Sequence, residues 1–236
     1  MDLKPKTLND VIDVFDVYNV NMITGLVMGN LREDRRILEA FVDCTEASIP
    51  VGEIAEMLRK IPGVFTVECV GATENYVVCK LHYPPKVLGE EAVVFRMECL
   101  KSWFTRIWKV FGSGAAQIFY EAGLESGREA AKYFREKLGL TSEVLADFLA
   151  GIASSLGWGK IVDLSVNPER REARVKIENL FECMLAGRVG EPRGFFFRGH
   201  VLGMARELFG TEALTVEETK CIARGDPYCE FQVKPL

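Results

Sequence analysis

The chain has 236 residues, 48% hydrophobic and 27% charged, with a formal net charge of −5 at pH 7. That length suits two modest domains, each with a real core, and the acidic balance argues against a nucleic-acid partner, which needs a basic face. No apolar run approaches the ~18 residues of a membrane span, and the opening MDLKPKTLNDVIDVF lacks the basic-then-apolar pattern of a secretion signal, so the expectation is a soluble cytoplasmic protein without a membrane partner.

The first elements read helix, strand, strand, helix, strand. TLNDVIDVFDVY starts at a Thr7-x-x-Asp10 cap and lines Leu8, Val11, Ile12 and Phe15 along one helical face. MITGLVMG and RRILEAFVDCTE are strands around the polar turn NLRED. PVGEIAEMLRKIPGV carries Pro50 at its start, closes at Pro62-Gly63 and turns Val51, Ile54, Leu58 and Ile61 inward. VFTVECVG and YVVCKLHY follow as predicted strands. This order, with LRKIPGVFTVECVG joining the last helix and strand, resembles the ACT family of small ferredoxin-like regulatory domains over about residues 7–71. The resemblance implies a dimerising regulatory scaffold. ACT domains bind amino acids between a first strand and the first helix, and here only MDLKPK precedes that helix, so amino-acid binding is not carried over.

HYPPKVLGEEA, with its two prolines and polar run, marks a boundary and gives an ACT-like domain over 1–85 and a second domain over 92–236. The second domain opens with VVFRMECLKSWFTRIWKVFG, in which Leu100, Trp103, Phe104, Ile107 and Phe111 recur at helical spacing. GAAQIFYEAGLESGREAAKYFREKLG continues as helix, with small residues at Ala115, Ala116, Ala122, Gly123, Gly127 and Ala130. Glycine costs a helix interior about 1 kcal/mol relative to alanine, so its presence points to a close neighbour, either another helix of the chain or a second protomer. TSEVLADFLAGIASSLGW is a third helix capped by Thr141 or Ser142. Strands GKIVDLSV and REARVKIEN flank the turn Asn167-Pro168-Glu169-Arg170, RGFFFRGHVLGMARELFG is a fourth helix, and LTVEETKCIARGDPYCEFQV is a closing hairpin. Helices and antiparallel strands segregate along the chain, which defines an α+β class.

Seven cysteines, an odd number, do not form a disulfide framework, and in a cytosolic chain paired cysteines more often mean metal, redox chemistry or burial. Two glutamines, Gln117 and Gln232, beside abundant Glu, Lys and Arg fit a thermophilic source. Cys221 and Cys229 flank the Gly225-Asp226-Pro227 turn of the closing hairpin. A turn centred on Gly225 sets the two thiols opposite each other on one face. Three readings follow: a disulfide, which a cytosolic setting disfavours; a share in a metal site; or apolar packing, since a buried cysteine behaves as a small hydrophobe. Glu218 stands three residues before Cys221, and that odd offset sends it to the other face of a regular strand. Its carboxylate reaches the thiols only if a bulge or bend intervenes. The Arg224-Gly225-Asp226 triplet needs no explanation beyond turn chemistry.

VEETKCIARGDPYCEFQV, with Glu-x-x-Cys, seven residues and a second Cys, resembles the end of the 4-vinyl reductase domain family, which includes the effector-sensing domains of bacterial activators that respond to phenols and toluenes. IFYEAGLESGREAA is similar to that family's small-residue helix and FFFRGHVLGMARELFG to its penultimate helix, so the resemblance spans about residues 94–234. It implies a structural zinc, with Glu218, Cys221 and Cys229 as three of its ligands. The family's upstream cysteine falls near Gly194 and Phe195, where this chain has none, leaving Cys183 and His200 as the substitutes a fold could bring in.

The resemblance also implies a pocket for a small hydrophobic or aromatic molecule. Trp103, Trp108, Phe119, Tyr120, Phe196 and His200 are the candidate walls, with Tyr120 and His200 to orient a ligand; aromatics at helical spacing equally serve as core. No phosphate loop, Gly-x-Ser-x-Gly elbow, nucleotide or flavin site is evident. The two histidines, His82 and His200, offer little for acid–base catalysis, and His82 reads as surface. The reading is a homodimeric ligand sensor with a protein output partner. Two others stand beside it: an enzyme or accessory in tetrapyrrole vinyl reduction or hydrocarbon metabolism, and an interaction scaffold, since the fold resembles subunits of Golgi vesicle-tethering complexes.

Overall fold

The computed structural model describes residues 5–28, 36–71, 85–87 and 90–236. The chain divides into two units, Met1–Val94 and Phe95–Leu236.

In the first unit, helix α1 spans Pro5–Val17, strands β1 and β2 span Asn21–Met28 and Ile37–Asp43, and helix α2 spans Val51–Arg59. Helical spacing turns Val11 of α1 and Ile54 and Leu58 of α2 inward, where they meet Val20 and Ile61 in one core. Ile12 and Val51, expected on those faces, are exposed instead. Thr7 lies inside α1 rather than capping it, and its buried hydroxyl donates to the Pro62 carbonyl at 3.5 Å. β1 and β2 pair antiparallel from Asn21↔Asp43 to Met28↔Ile37, with a register shift at Met22/Thr24. VFTVECVG, a predicted strand, is not in a ladder: residues 64–71 pair with no strand among the described residues, and Arg59 donates instead to the Val67 carbonyl at 2.7 Å. The predicted strand YVVCKLHY and His82 lie outside the described residues. Two-residue strands β3 (Lys86–Val87) and β4 (Glu90–Glu91) pair within the expected boundary segment.

The second unit is an α+β domain. Its helices are α3 (Met97–Phe111), α4 (Gly114–Leu138), α5 (Ser142–Ser155), α6 (Phe181–Ala186) and α7 (Phe195–Phe209). Its strands are β5 (Lys160–Asn167), β6 (Glu172–Glu178), β7 (Leu214–Lys220) and β8 (Cys229–Pro235). The strands form one antiparallel sheet in the order β5-β6-β8-β7. Period-two alternation turns Val175 and Ile177 of β6 and Phe231 and Val233 of β8 to one face, where they pack on Phe197, Val201, Leu202 and Ala205 of α7. Arg174 and Lys176 point the other way and pair with Asp163.

The glycines of α4 find their neighbour inside the chain. Glycines four apart share a helix face, and Gly123 and Gly127 of α4 oppose Gly199 and Gly203 of α7. A Cβ at Gly127 would lie 2.0 Å from the His200 carbonyl oxygen, and one at Gly199 would lie 2.1 Å from that of Tyr120. The two helices therefore touch backbone to backbone, a distance only residues without a Cβ permit.

Candidate functional site

The closing hairpin, α6 and the start of α7 converge on one buried cluster. Cys183 comes from α6, Glu218 from β7, Cys221 from the residue after β7 and Cys229 from the first position of β8. All four are buried, and one ligand atom from each lies within 4.8 Å of the others. The Cys183 sulfur is 3.5 Å from that of Cys221 and 3.5 Å from that of Cys229.

Local backbone explains how Glu218 joins the thiols. It pairs with Phe231, but Lys220 pairs with Glu230, so Thr219 is an extra residue in β7. This bulge changes the face on which Glu218 sits relative to Cys221. A 3-10 turn at Ile222–Arg224 then reverses the chain, and the Cys221 carbonyl accepts the N–H groups of Arg224, Gly225 and Asp226. Gly225 sits at φ 116°, where a side chain would be strained. The Asp226 carboxylate accepts the Cys221 N–H at 2.8 Å and the Arg224 Nε–H at 2.9 Å, so the Arg-Gly-Asp triplet is committed to holding the turn.

Gly194 precedes α7 and has no room for a side chain: a Cβ there would lie 2.7 Å from Glu218 Oε1 and 2.8 Å from Phe231 Cζ. The third thiol arrives from the opposite direction, on α6. Its neighbour Glu182 is also buried and accepts the Phe196 and Phe197 N–H groups at 3.0 and 3.2 Å. That places a carboxyl at the N-terminus of α7, where free N–H groups need an acceptor; burial pushes it up to about 8 against those bonds.

The electrostatics of the cluster are those of a cation-seeking donor set. Neighbouring Cys183 and Cys229 thiols hold Cys221 far below the ordinary thiol range, and the same contacts push Cys183 far above it. The Arg193 N–H also donates to Cys221 Sγ at 3.4 Å, and the Ile222 N–H to Cys229 Sγ at 3.3 Å. Burial pushes the Glu218 carboxyl up to about 9, and neither of its oxygens has a hydrogen-bond partner among the described residues. Buried polar atoms without partners cost free energy. Three soft sulfurs and one carboxylate fit a four-coordinate thiophilic cation.

His200 lies outside this cluster. It is 6% exposed, burial pushes it down to about 4, and its Nδ1 has no partner among the described residues. The neutral ring sits edge-on to Trp158 at 4.9 Å and borders an apolar crevice between α5, α7 and the sheet. Ala146, Leu149 and Ala153 of α5, Ile161 and Leu164 of β5 and Met204 of α7 line it, and it holds about 570 Å³ including the part open to solvent.

Of the six residues expected to bind a ligand, His200 borders this crevice and the other five do not. Phe119 stacks on Phe104 at 4.2 Å, and Trp108 lies 5.7 Å from Phe195 with the Arg193 guanidinium 3.8 Å above its ring. Phe196 meets Trp158 at 5.6 Å, Tyr120 lies under the Arg198 guanidinium at 5.3 Å, and Trp103 is half exposed against Phe95. These rings pack helices onto one another. The alanine-rich wall of α5 carries no aromatic signal, so sequence reasoning missed it; the small residues of ADFLAGIAS were the available sign.

An antiparallel sheet covered on one face by helices, closed by a thiol-rich hairpin, defines the class of domain. More particularly, residues 173–235 match the family model of the vinyl-4-reductase (4VR) domain. An uncharacterized protein of Methanocaldococcus jannaschii is 30% identical over 124 residues, which are 52% of this chain and 66% of that relative, just under two thirds of its length. Among solved structures, the phenol-responsive sensory domain of the transcription activator PoxR, with phenol, aligns with a TM-score of 0.53 and 18% identity, covering 63% of this chain and 79% of that one. That is a likeness of fold. A vinyl-4-reductase family protein from Methanocaldococcus jannaschii aligns with a TM-score of 0.42 and 21% identity, covering 62% and 85%.

Proposed function

We propose that this chain is a sensor whose second unit binds a small, largely apolar or aromatic molecule in the crevice between α5, α7 and the sheet. The observation that carries the reading is His200: a neutral, buried imidazole with an unpartnered nitrogen on an otherwise apolar wall. Binding sites of this kind combine apolar area with a few polar groups that fix orientation. The PoxR likeness in fold is in keeping with such a role. A ligand that prefers one arrangement of α7 shifts the population toward it, and the signal passes to a protein partner. The first unit serves, in this reading, as an ACT-like dimerising domain.

Cys183, Glu218, Cys221 and Cys229 would hold a structural zinc. When bound, it contributes folding free energy by tying α6 to both strands of the hairpin. Their burial and the orphaned Glu218 oxygens support this assignment.

Native mass spectrometry with metal analysis tests both parts on the full chain. One equivalent of zinc and a co-purifying small molecule are the expected results. A panel of phenols, alkylbenzenes and medium-chain lipids is then scored by thermal shift, in which a binder stabilises in proportion to its saturation. Ala150→Leu, which fills the crevice from α5, abolishes that shift while leaving the unliganded melting temperature near that of the wild type. Failure of every compound to stabilise the wild type removes the sensor reading, and turnover that depends on an added nicotinamide or flavin favours an enzyme.

A further inference from the structure

The outer face of α3 belongs to neither the thiol cluster nor the crevice. At 100° per residue, its apolar side chains cover about half the circumference. One edge of that arc, Phe104 and Trp108, packs inward on Phe119, Phe181 and Phe195. The other edge is uncovered: Trp103 is 48% exposed, Val110 53% and Phe111 56%, and no residue of the helix is buried. Phe95, also exposed, extends the patch by packing edge-on to Trp103 at 4.6 Å. Contiguous exposed apolar surface marks an interaction site.

The charge beside this stripe identifies its partner. α3 carries Lys101, Arg106 and Lys109 against a single acid, Glu98, and Arg96 stands at its N-cap, in a chain whose net charge is −5. All four basic side chains are exposed, and none forms an ion pair among the described residues. Helical geometry sets Arg106 at the border of the stripe formed by Trp103 and Val110. Two copies docked antiparallel through this stripe bring Arg106 against its own symmetry mate, which is repulsive. A bilayer with anionic headgroups has the complementary sign. Trp and Phe side chains enter its interface, while Lys and Arg extend along the apolar surface to reach phosphates.

We propose that the outer face of α3 is a peripheral docking site for an anionic lipid surface. Trp103, Val110 and Phe111 insert at headgroup level, and Arg96, Arg106 and Lys109 contact lipid phosphates. The helix lies along the surface and does not span it. The sequence-based expectation of no membrane partner rested on spanning segments, and an amphipathic surface helix needs none. This site is independent of the sensor reading, since it shares no residue with the crevice.

The test is co-sedimentation of the full chain with phosphatidylcholine vesicles, with and without phosphatidylglycerol. Anionic lipid raises the bound fraction roughly tenfold or more, and high salt reverses the gain. The double variant Arg106→Glu/Lys109→Glu returns binding to the phosphatidylcholine level, with circular dichroism and melting temperature unchanged because both positions are exposed. Trp103→Ser weakens binding and removes quenching of tryptophan fluorescence by brominated lipid. Equal binding to both vesicle types, or no effect of the charge reversal, overturns the proposal. So does a dimer in light scattering that Trp103→Ser splits and the charge reversal leaves intact, which assigns the face to a second copy. Ligand-induced thermal shifts are expected to persist in these variants, so failure here and failure of the sensor reading are distinguishable.

Discussion

Replacing Gly127 by alanine adds one methyl group at the tightest kind of contact in the second unit. The new Cβ would sit 2.0 Å from the His200 carbonyl oxygen and 2.9 Å from its Cα, whereas ordinary contact begins at 3.4 Å. The obstacle is helix backbone, so no rotamer change relieves it; α4 and α7 must separate by about 1 Å or tilt, which strips packing from both. Alanine gains about 1 kcal/mol in helix propensity over glycine, while overpacking of this severity costs about 3 kcal/mol, a net loss of about 2 kcal/mol. For a chain of this size that lowers the melting temperature by roughly 4–8 °C. Gly151 of α5 is the internal control: nothing lies within 4 Å of its Cβ position, so Gly151→Ala stabilises by about 1 kcal/mol. Far-ultraviolet circular dichroism melts of the full chain measure both. A Gly127→Ala protein that melts at or above the wild-type temperature refutes the backbone-contact argument.

Cys221→Ser is expected to lose the bound metal and to melt well below the wild type, and a strong chelator then lowers the wild type but not the variant; an unchanged melting temperature removes the metal from the account. His200 gives a signed pH dependence. Its folded pKa of about 4 lies below the free value of 6.5, so the unfolded chain takes the proton first. Stability from this group is therefore fully present above pH 6.5 and declines as pH falls toward 4, by about 3 kcal/mol in all. Denaturant titrations at neutral pH and near pH 4 on the wild type and His200→Gln measure it, and a variant with the same pH slope as the wild type contradicts the assignment.

Long periodic stretches made most of the second unit legible. Apolar spacing located α4, α5 and α7, alternation located β5 and β6, and the glycines of α4 announced a close neighbour. Which neighbour was not readable, because Gly199 and Gly203 lie more than 70 residues away in sequence. α6 escaped because six residues, FECMLA, are too few to show a helical period. Cys183 was consequently visible as a candidate but not as a member of a defined element. The parity argument for Glu218 stated the condition for its joining the thiols, and the extra Thr219 in β7 meets that condition, although nothing in TVEETK advertises a bulge. VFTVECVG alternates like a strand, but a strand exists only with a partner. The aromatic residues misdirected the pocket expectation for a related reason. Helical spacing shows that a ring faces inward and is silent on whether it meets another ring or a space.

The contact between α4 and α7 has a mechanical consequence. Where helices meet through interleaved side chains, rotamer changes can absorb a displacement; where they meet through bare peptide groups, nothing between them can yield. α4 and α7 therefore move as one stiff plate across their glycine contact. A molecule wedged beside His200 cannot push α7 sideways into α4, and its thrust is relayed to the end of the helix, where Glu182 grips the first N–H groups next to Cys183. Occupancy of the crevice and the tension on the thiol cluster are thereby geared to one another, so a change at either is felt at the other without any side chain spanning the gap.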